Sequence, residues 1–437
     1  LFFKKKNKPK QIFTKELILI YFLLKKLIFK KILLFLLWLK NKNTMIQKYR
    51  KQFNEEFSQE KYQKLIETLE KSSGTTNGFR QSESPIFLSK DFKNKLTDAC
   101  DSIISQVKTF SNEELQKAIP KHLFVPNDTE KPHFLAIDFG ICKNENGEVV
   151  PQLIELQAFP TLYAYQEEFE GAISEIYPFL QELRNSIPKP EYIQFLKEVI
   201  IGDESPENVI LLEIFPEEQK TKIDFYLTKK YLGIKTVCIT KIKKQGKKLF
   251  YEKDGNLIEI KRIYNRVIFD ELEQHPNLET EFQFTDELDV KWITHPNWFF
   301  KISKFILPKL NHEFVPKSYF LADFPETENL ENFVLKPLFS FAGSGVNLYP
   351  TPEILAEIED KENYILQRKV QYASLFEDIN GEFSKAEIRM LYLWKEDAET
   401  PQLMDNLVRM TKADMVNVNF NKKDAIWIGS SIAFFEK

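Results

Sequence analysis

The 437-residue chain is poor in the residues that announce many common chemistries. Only three cysteines occur, Cys100, Cys142 and Cys238, far apart and odd in number. That excludes a disulfide framework and a cysteine-based zinc site, and it suits a reducing compartment. The five histidines, His122, His133, His275, His295 and His312, show no HxxxH or HxH spacing, so each reads as structural. No G-x-S-x-G marks a serine nucleophile, and no Gly-Lys-Ser/Thr opens a helix as in a Walker loop. No G-x-G-x-x-G is present to cradle a dinucleotide. Lys plus Arg numbers 61 against 64 Asp plus Glu, so the net charge of −3 gives no reason to expect a nucleic-acid binder. Glycine is scarce, at 13 residues, and any glycine cluster is therefore informative.

Hydrophobic residues make up 43% and charged residues 29%, a globular balance that excludes a largely disordered chain. The length suits two or three domains. The near-neutral charge hides an asymmetry, because residues 1–44 hold twelve Lys and one acid, Glu16, for a net of +11, and the rest carry −14. The apolar part of this leader, Leu17 to Leu39, is broken by Lys25, Lys26, Lys30 and Lys31 into runs of eight, three and eight residues. A spanning helix wants about 20 apolar residues, and each central Lys costs about 2.5–3.5 kcal/mol. Three readings stand: translated upstream sequence before a start at Met45, a basic amphipathic helix on a membrane surface, or a true span. The first is the working expectation, with residues 1–44 outside the fold and the protein cytoplasmic.

From Met45 the chain reads as an α/β protein. Phe53, Phe57, Tyr62, Leu65 and Leu69 are spaced for helix until Gly74 to Gly78, and residues 91–119 form another amphipathic stretch. A strand follows at His133 to Phe139, then a turn at Asn144 to Gly147 and a strand from Val149 to Leu156. Two helical stretches lie between Ala164 and Ile201. Residues 206–272 read strand (NVILLEIFP), helix stopped at Gly233, strand (IKTVCITKI), and then a hairpin turning at Asp254-Gly255. Strand, helix, strand suggests a Rossmann-like parallel sheet. The expected division is 45–200, a small α/β domain over 201–290, and nucleotide-binding lobes over 291–437.

The strongest chemical signal is NFVLKPLFSFAGSGVNLYP, residues 332–350. A strand delivers Lys336, and a loop with Gly343, Ser344 and Gly345 follows. Backbone amides of such a loop can cradle phosphate oxygens while the lysine supplies a point charge. The competing reading is a hairpin loop with a surface lysine. Beyond it come YILQRKVQYASL, AEIRMLYLW and NLVRMTKADMVNVNFNKKDAIWIGSS.

This order of parts resembles the ATP-grasp ligases. The resemblance implies that Lys304 and Lys336 hold phosphates, that Gly343–Gly345 closes as a lid, and that Gln367 to Val370 is a hinge whose backbone contacts adenine. It implies further that Glu387-Ile-Arg389 and Arg409 carry the catalytic arginines, with Asn417 or Asn419 downstream. The family's metal-binding strand pair is missing after residue 431. A counterpart stands upstream in FLAIDFGICKNENGEVVPQLIELQAFPTL, where Asp138 and Glu155 are 17 apart across an Asn-Gly turn and Gln157 takes the place of an asparagine. Glu155 and Gln157 share a strand face, and two carboxylates with an amide oxygen suit Mg²⁺. Solvated acids on a surface hairpin are the alternative, but Glu155 lies within an apolar string where an unpaired carboxylate is expensive.

Strands moved to the front are the mark of the circularly permuted branch, which includes glutathionylspermidine synthetase. The strand with Arg262 and Arg266 resembles one in that family's small α/β domain. The implied function is ATP- and Mg²⁺-dependent joining of a carboxylate to an amine through an acyl phosphate, on small-molecule or peptide substrates. Arg80, in the polar loop TTNGFRQSESP, is a candidate substrate contact. The competing class is a degenerate member that binds nucleotide or a partner without ligation.

Overall fold

The computed structural model describes residues 45–184, 186–339, 344–413 and 425–437, together with Leu23 and Lys25. Met45 is buried and bridges Leu88, and two helices follow, Gln47–Glu56 and Gln59–Ser73. Ser58 caps the second through Lys61 N, and Gly74 ends it in the left-handed conformation. The next helix, Lys90–Thr109, buries the stripe Phe92, Leu96, Ala99, Cys100, Ile103, Ile104 and Val107. It stops ten residues short of the sequence reading, because Ser111 caps a separate short helix at Asn112–Gln116.

The central sheet draws its strands from both halves of the chain. Phe134–Lys143 pairs antiparallel with Val149–Gln157 on one side and with Phe383–Leu393 on the other. Phe383–Leu393 pairs in turn with Gln402–Thr411, and that strand with Gly429–Ser431. The short strand Gln371–Tyr372 pairs with residues 142 and 143, one residue past the stretch that Phe383–Leu393 covers. The strand that begins at Phe134 is longer than its sequence pattern indicated because both its faces are covered as far as Cys142, leaving no polar alternation to mark its end. A one-residue irregularity between Asp138 and Phe139 leaves Ile154 outside the ladder.

Residues 206–272 supply three strands of the expected parallel sheet, and Lys291–Ile293, from beyond that stretch, adds a fourth at its edge, in the order Lys291–Ile293, Arg262–Asn265, Val209–Glu213, Lys235–Cys238. Helix Lys222–Leu232 crosses between two of its strands and is stopped by Gly233 at φ 73°. The hairpin is shorter than read. Lys248–Lys253 and Asn256–Ile260 make it, turning on Asp254 (φ 53°) and Gly255 (φ 78°), the pair of positive angles a two-residue turn requires. Arg262–Asn265 departs to the parallel sheet, where burial on both faces is available.

A third, three-stranded antiparallel sheet has Tyr364–Arg368 between Ser318–Phe320 and Phe333–Pro337. Alternation gives it two different faces. Phe333, Leu335 and Leu366 join Leu321 in a small core of their own, and Lys336 with Gln367 faces the other way. The last strand, Ala433–Phe435, runs parallel to Ile86–Leu88. Among the described residues no helix is long and apolar enough to cross a membrane. The three readings of the leader concern residues that, Leu23 and Lys25 apart, lie outside the described ones.

Candidate functional site

Sheet register builds the site. Asp138 stands directly opposite Glu155 on one side and Arg389 on the other, so the three form a row across three strands. The adjacent row on the same face runs Gly140, Glu387, Arg409, Ser430. Two carboxylates, Glu155 and Asp138, thus stand side by side, and a carboxylate faces a guanidinium at Asp138–Arg389 and at Glu387–Arg409.

The contacts follow from that placement. Arg389 grips Asp138 with both arms, Nε to Oδ1 at 2.6 Å and Nη2 to Oδ2 at 2.7 Å. Arg409 Nη2 donates to the same Oδ2 at 2.6 Å and to Glu387 Oε2 at 2.8 Å. The Tyr372 hydroxyl donates to the other oxygen of Glu387. It reaches there because Gly140 leaves a notch: a Cβ at that position would lie 2.9 Å from the Tyr372 ring. Burial lifts the Glu387 carboxyl above its ordinary value, against Arg409 and the Tyr372 hydroxyl and with help from Asp138 and Glu155. Burial opposes the charge of Arg409, but Glu387, Asp138 and Glu155 outweigh it and hold the guanidinium protonated.

The small sheet brings the lysines. Gln367 lies two residues along from Ile365, the partner of Lys336, and so shares its face. Lys336 Nζ donates to Gln367 Oε1 at 2.5 Å and to the Ile154 carbonyl at 3.4 Å, while Gln367 Nε2 reaches the Leu153 carbonyl at 3.4 Å. The small sheet therefore covers the outer edge of Val149–Gln157, at the place where the ladder irregularity releases Ile154. Lys336 is only 9% exposed, which disposes of the surface-lysine alternative. Burial lowers its ammonium to about 8, despite Glu155. Ser303 caps the turn Lys304–Lys309, which places Lys304 Nζ 3.8 Å from Glu155 Oε2. Arg389 Nη2 is 3.9 Å from the other Glu155 oxygen. Burial works against the charge of Glu155, but Lys304, Arg409, Arg389 and Lys336 together hold its carboxyl below the usual range.

The structure thus gathers Lys304, Lys336, Arg389 and Arg409 with Asp138, Glu155 and Glu387, four cations against three anions. Residues about 230–270 positions apart in the chain meet because the 134–157 hairpin pairs with the strand of Glu387. Ser344 is exposed, and Gly345 takes φ 70° with no room for a Cβ beside Pro337. The chain returns at Asn347, which exchanges two backbone bonds with Leu335 beside Lys336. Gly343, Asn417 and Asn419 lie outside the described residues. Val370 is half-buried in the connection from the small sheet to Gln371–Tyr372, and Gln367 is buried.

Arg80 sits at the far margin of the same sheet, where Gln81 bridges Ser430, and its guanidinium is engaged by Glu83 and the Tyr62 hydroxyl. Arg262 and Arg266 serve the frame. Arg262 donates to the carbonyls of Ile200 and Val199 at the end of helix Lys189–Ile200, and Arg266 donates to that of Pro160. Tyr372 and Gly140 belong to the site although the sequence reading passed over both. A glycine inside an apolar strand, in a chain with few glycines, was the available signal.

Mg²⁺ needs oxygen lone pairs and keeps several waters. Glu155 fits that demand: its side chain is 26% exposed and its ion pairs, at 3.8 and 3.9 Å, are too long to be hydrogen bonds. Gln157 is half-buried on the same face. Asp138 does not fit. Three of its roughly four lone-pair positions accept guanidinium protons, and it is 1% exposed. Breaking such a buried pair costs about 3–5 kcal/mol. Among the described residues no group of three metal-ligating side chains is placed to hold an ion.

The fold and the site together define a mixed α/β protein with a largely buried cluster of acidic and basic side chains where a large antiparallel sheet meets a small one. No protein-family model and no curated protein matches the chain. Among solved structures it is similar to a glutathione synthetase-like effector from Globodera pallida in its apo form. The TM-score is 0.52 at 11% identity, over 86% of this chain and 97% of that one. The likeness is one of fold.

Proposed function

We propose that the protein is an ATP-dependent ligase that joins a carboxylate to an amine or similar nucleophile, of the permuted ATP-grasp kind. One observation carries this reading: Lys304, Lys336, Arg389 and Arg409 converge around a single half-buried carboxylate, Glu155. Two lysines and two arginines directed to one place suit an anionic ligand, and a polyphosphate beside a carboxylate substrate has that charge. ATP would supply the phosphoryl group that turns the acid into an acyl phosphate, which the amine then attacks. Lys304 and Lys336 bind phosphate oxygens. Arg389 and Arg409, fixed by Asp138, hold positive charge where negative charge builds up on the reacting groups, and need not reorganise to do so. Glu155 and Gln157 would meet a magnesium ion carried in on the nucleotide.

The engagement of Asp138 favours a second reading, nucleotide binding without ligation. Phosphate release measured across a panel of amino acids, polyamines and short peptides separates the two. ADP formation that depends on adding both an acid and an amine supports the ligase. ATP binding with no stimulated release under any pair supports the second reading.

A further inference from the structure

We infer that Asp138 is a buried counter-ion that presents Arg389 and Arg409 as a preformed clamp for a polyphosphate, so that the site takes this anion without a divalent cation. The inference rests on the polyphosphate part of the proposed function and departs from the metal-ligand role expected for Asp138.

Three observations carry it. Asp138 is saturated by protein donors: both its oxygens face Arg389, and one also faces Arg409. Its 1% exposure leaves no room for an ion that keeps its waters. The two guanidiniums are thereby fixed from behind. Arg409 is tied additionally to Glu387, itself held by Tyr372 in the notch at Gly140, yet the Arg409 side chain remains 32% exposed.

A guanidinium held this way keeps further N–H donors, which suit the geometry of phosphate oxygens. Its orientation is fixed before the ligand arrives, so little freedom is lost on binding. The charge balance points the same way. Among the described residues four cations face three carboxylates, and of those three Glu155 makes only long ion pairs. A site that is cationic in itself does not need a metal to overcome repulsion between carboxylates and phosphates. A cage of free acids would need one.

The test uses inorganic tripolyphosphate, so that neither adenine recognition nor ligation enters the readout. Calorimetric titration of the full chain is performed in EDTA and again with Mg²⁺ in excess. The expected result is binding in EDTA with a Kd less than tenfold from that with Mg²⁺. Arg409→Gln should weaken binding in EDTA tenfold or more. Asp138→Asn should leave the ratio of the two Kd values unchanged, whereas the loss of a metal ligand would collapse it. A gain of tenfold or more from Mg²⁺ in the native chain overturns the inference, as does a ratio that collapses in Asp138→Asn. Binding only with Mg²⁺ refutes the clamp and leaves the ligase reading standing. Absence of binding in both conditions removes the polyphosphate reading itself.

Discussion

Replacing Lys336 by methionine should make the protein more stable and less able to bind ATP, and the stability gain should depend on pH in a specified direction. Lys336 titrates near 8 in the folded chain, because burial outweighs the help of Glu155. In the unfolded chain a lysine titrates near about 10.4, a gap of some two and a half pH units, or about 3 kcal/mol. Between those values the unfolded chain holds a proton that the folded chain lacks. Native stability from this group therefore rises with pH across that window. At pH 7 the ammonium is charged in both states and the whole cost is felt; above about pH 10.5 it is neutral in both and the cost is gone. Methionine removes the charge but strands the oxygen of Gln367, which Lys336 meets at 2.5 Å, a loss of about 1–2 kcal/mol. Lys336→Met should accordingly gain about 1–2 kcal/mol at pH 7, and native stability minus variant stability should rise by about 3 kcal/mol by pH 10.5. Urea unfolding of both proteins at pH 7, 8.5 and 10.5 measures this. A variant less stable than the native chain at pH 7, or a difference that stays flat with pH, refutes the argument. ATP affinity should move the other way. It falls above pH 8 in the native chain, by up to tenfold per pH unit, and is both weak and insensitive to this titration in the variant.

Three other outcomes are expected. Gly140→Ala places a methyl 2.8 Å from the Cys142 sulfur and 2.9 Å from the Tyr372 ring, and should cost about 1–3 kcal/mol in chemical denaturation. Tyr372→Phe removes one hydroxyl from Glu387 and should cost about 1 kcal/mol while leaving the circular dichroism spectrum unchanged; a cost of nothing would show that the contact is not formed in solution. A chain beginning at Met45, whose side chain is buried against the strand of Leu88, should melt in a single cooperative transition, and aggregation on purification would count against it.

Local chemistry made much of the architecture legible. The apolar spacing through Leu65 and Leu69 and the stop at Gly74 were plain, because such features act over one or two turns, whereas the break at which Ser58 caps a second helix reads in the sequence as continuous helix. Asp254-Gly255 specified a tight turn because few residue pairs tolerate two positive φ angles. The strand that carries Lys336 was equally plain, and so was the shared face of Glu155 and Gln157, since strand alternation is a property of the backbone.

Other features could not be read locally. The hairpin turning at Asp254 and the strand Arg262–Asn265 look continuous in sequence, and only the neighbours that each finds assign them to different sheets. The resemblance in the sequence made Asp138 a metal ligand. The register Asp138 opposite Arg389, and the diagonal reach of Arg409, instead surround it with guanidiniums contributed from some 250 and 270 residues away. Lys336 shows the same division. Its sequence fixes that it ends an apolar strand, but its low ammonium pKa arises from the edge of Val149–Gln157 closing over it. Propensity, capping and alternation act through the nearest few residues and are written in the chain. The charge state and partners of an ionisable group depend on what packs around it, and that is decided only when distant strands take their places in one sheet.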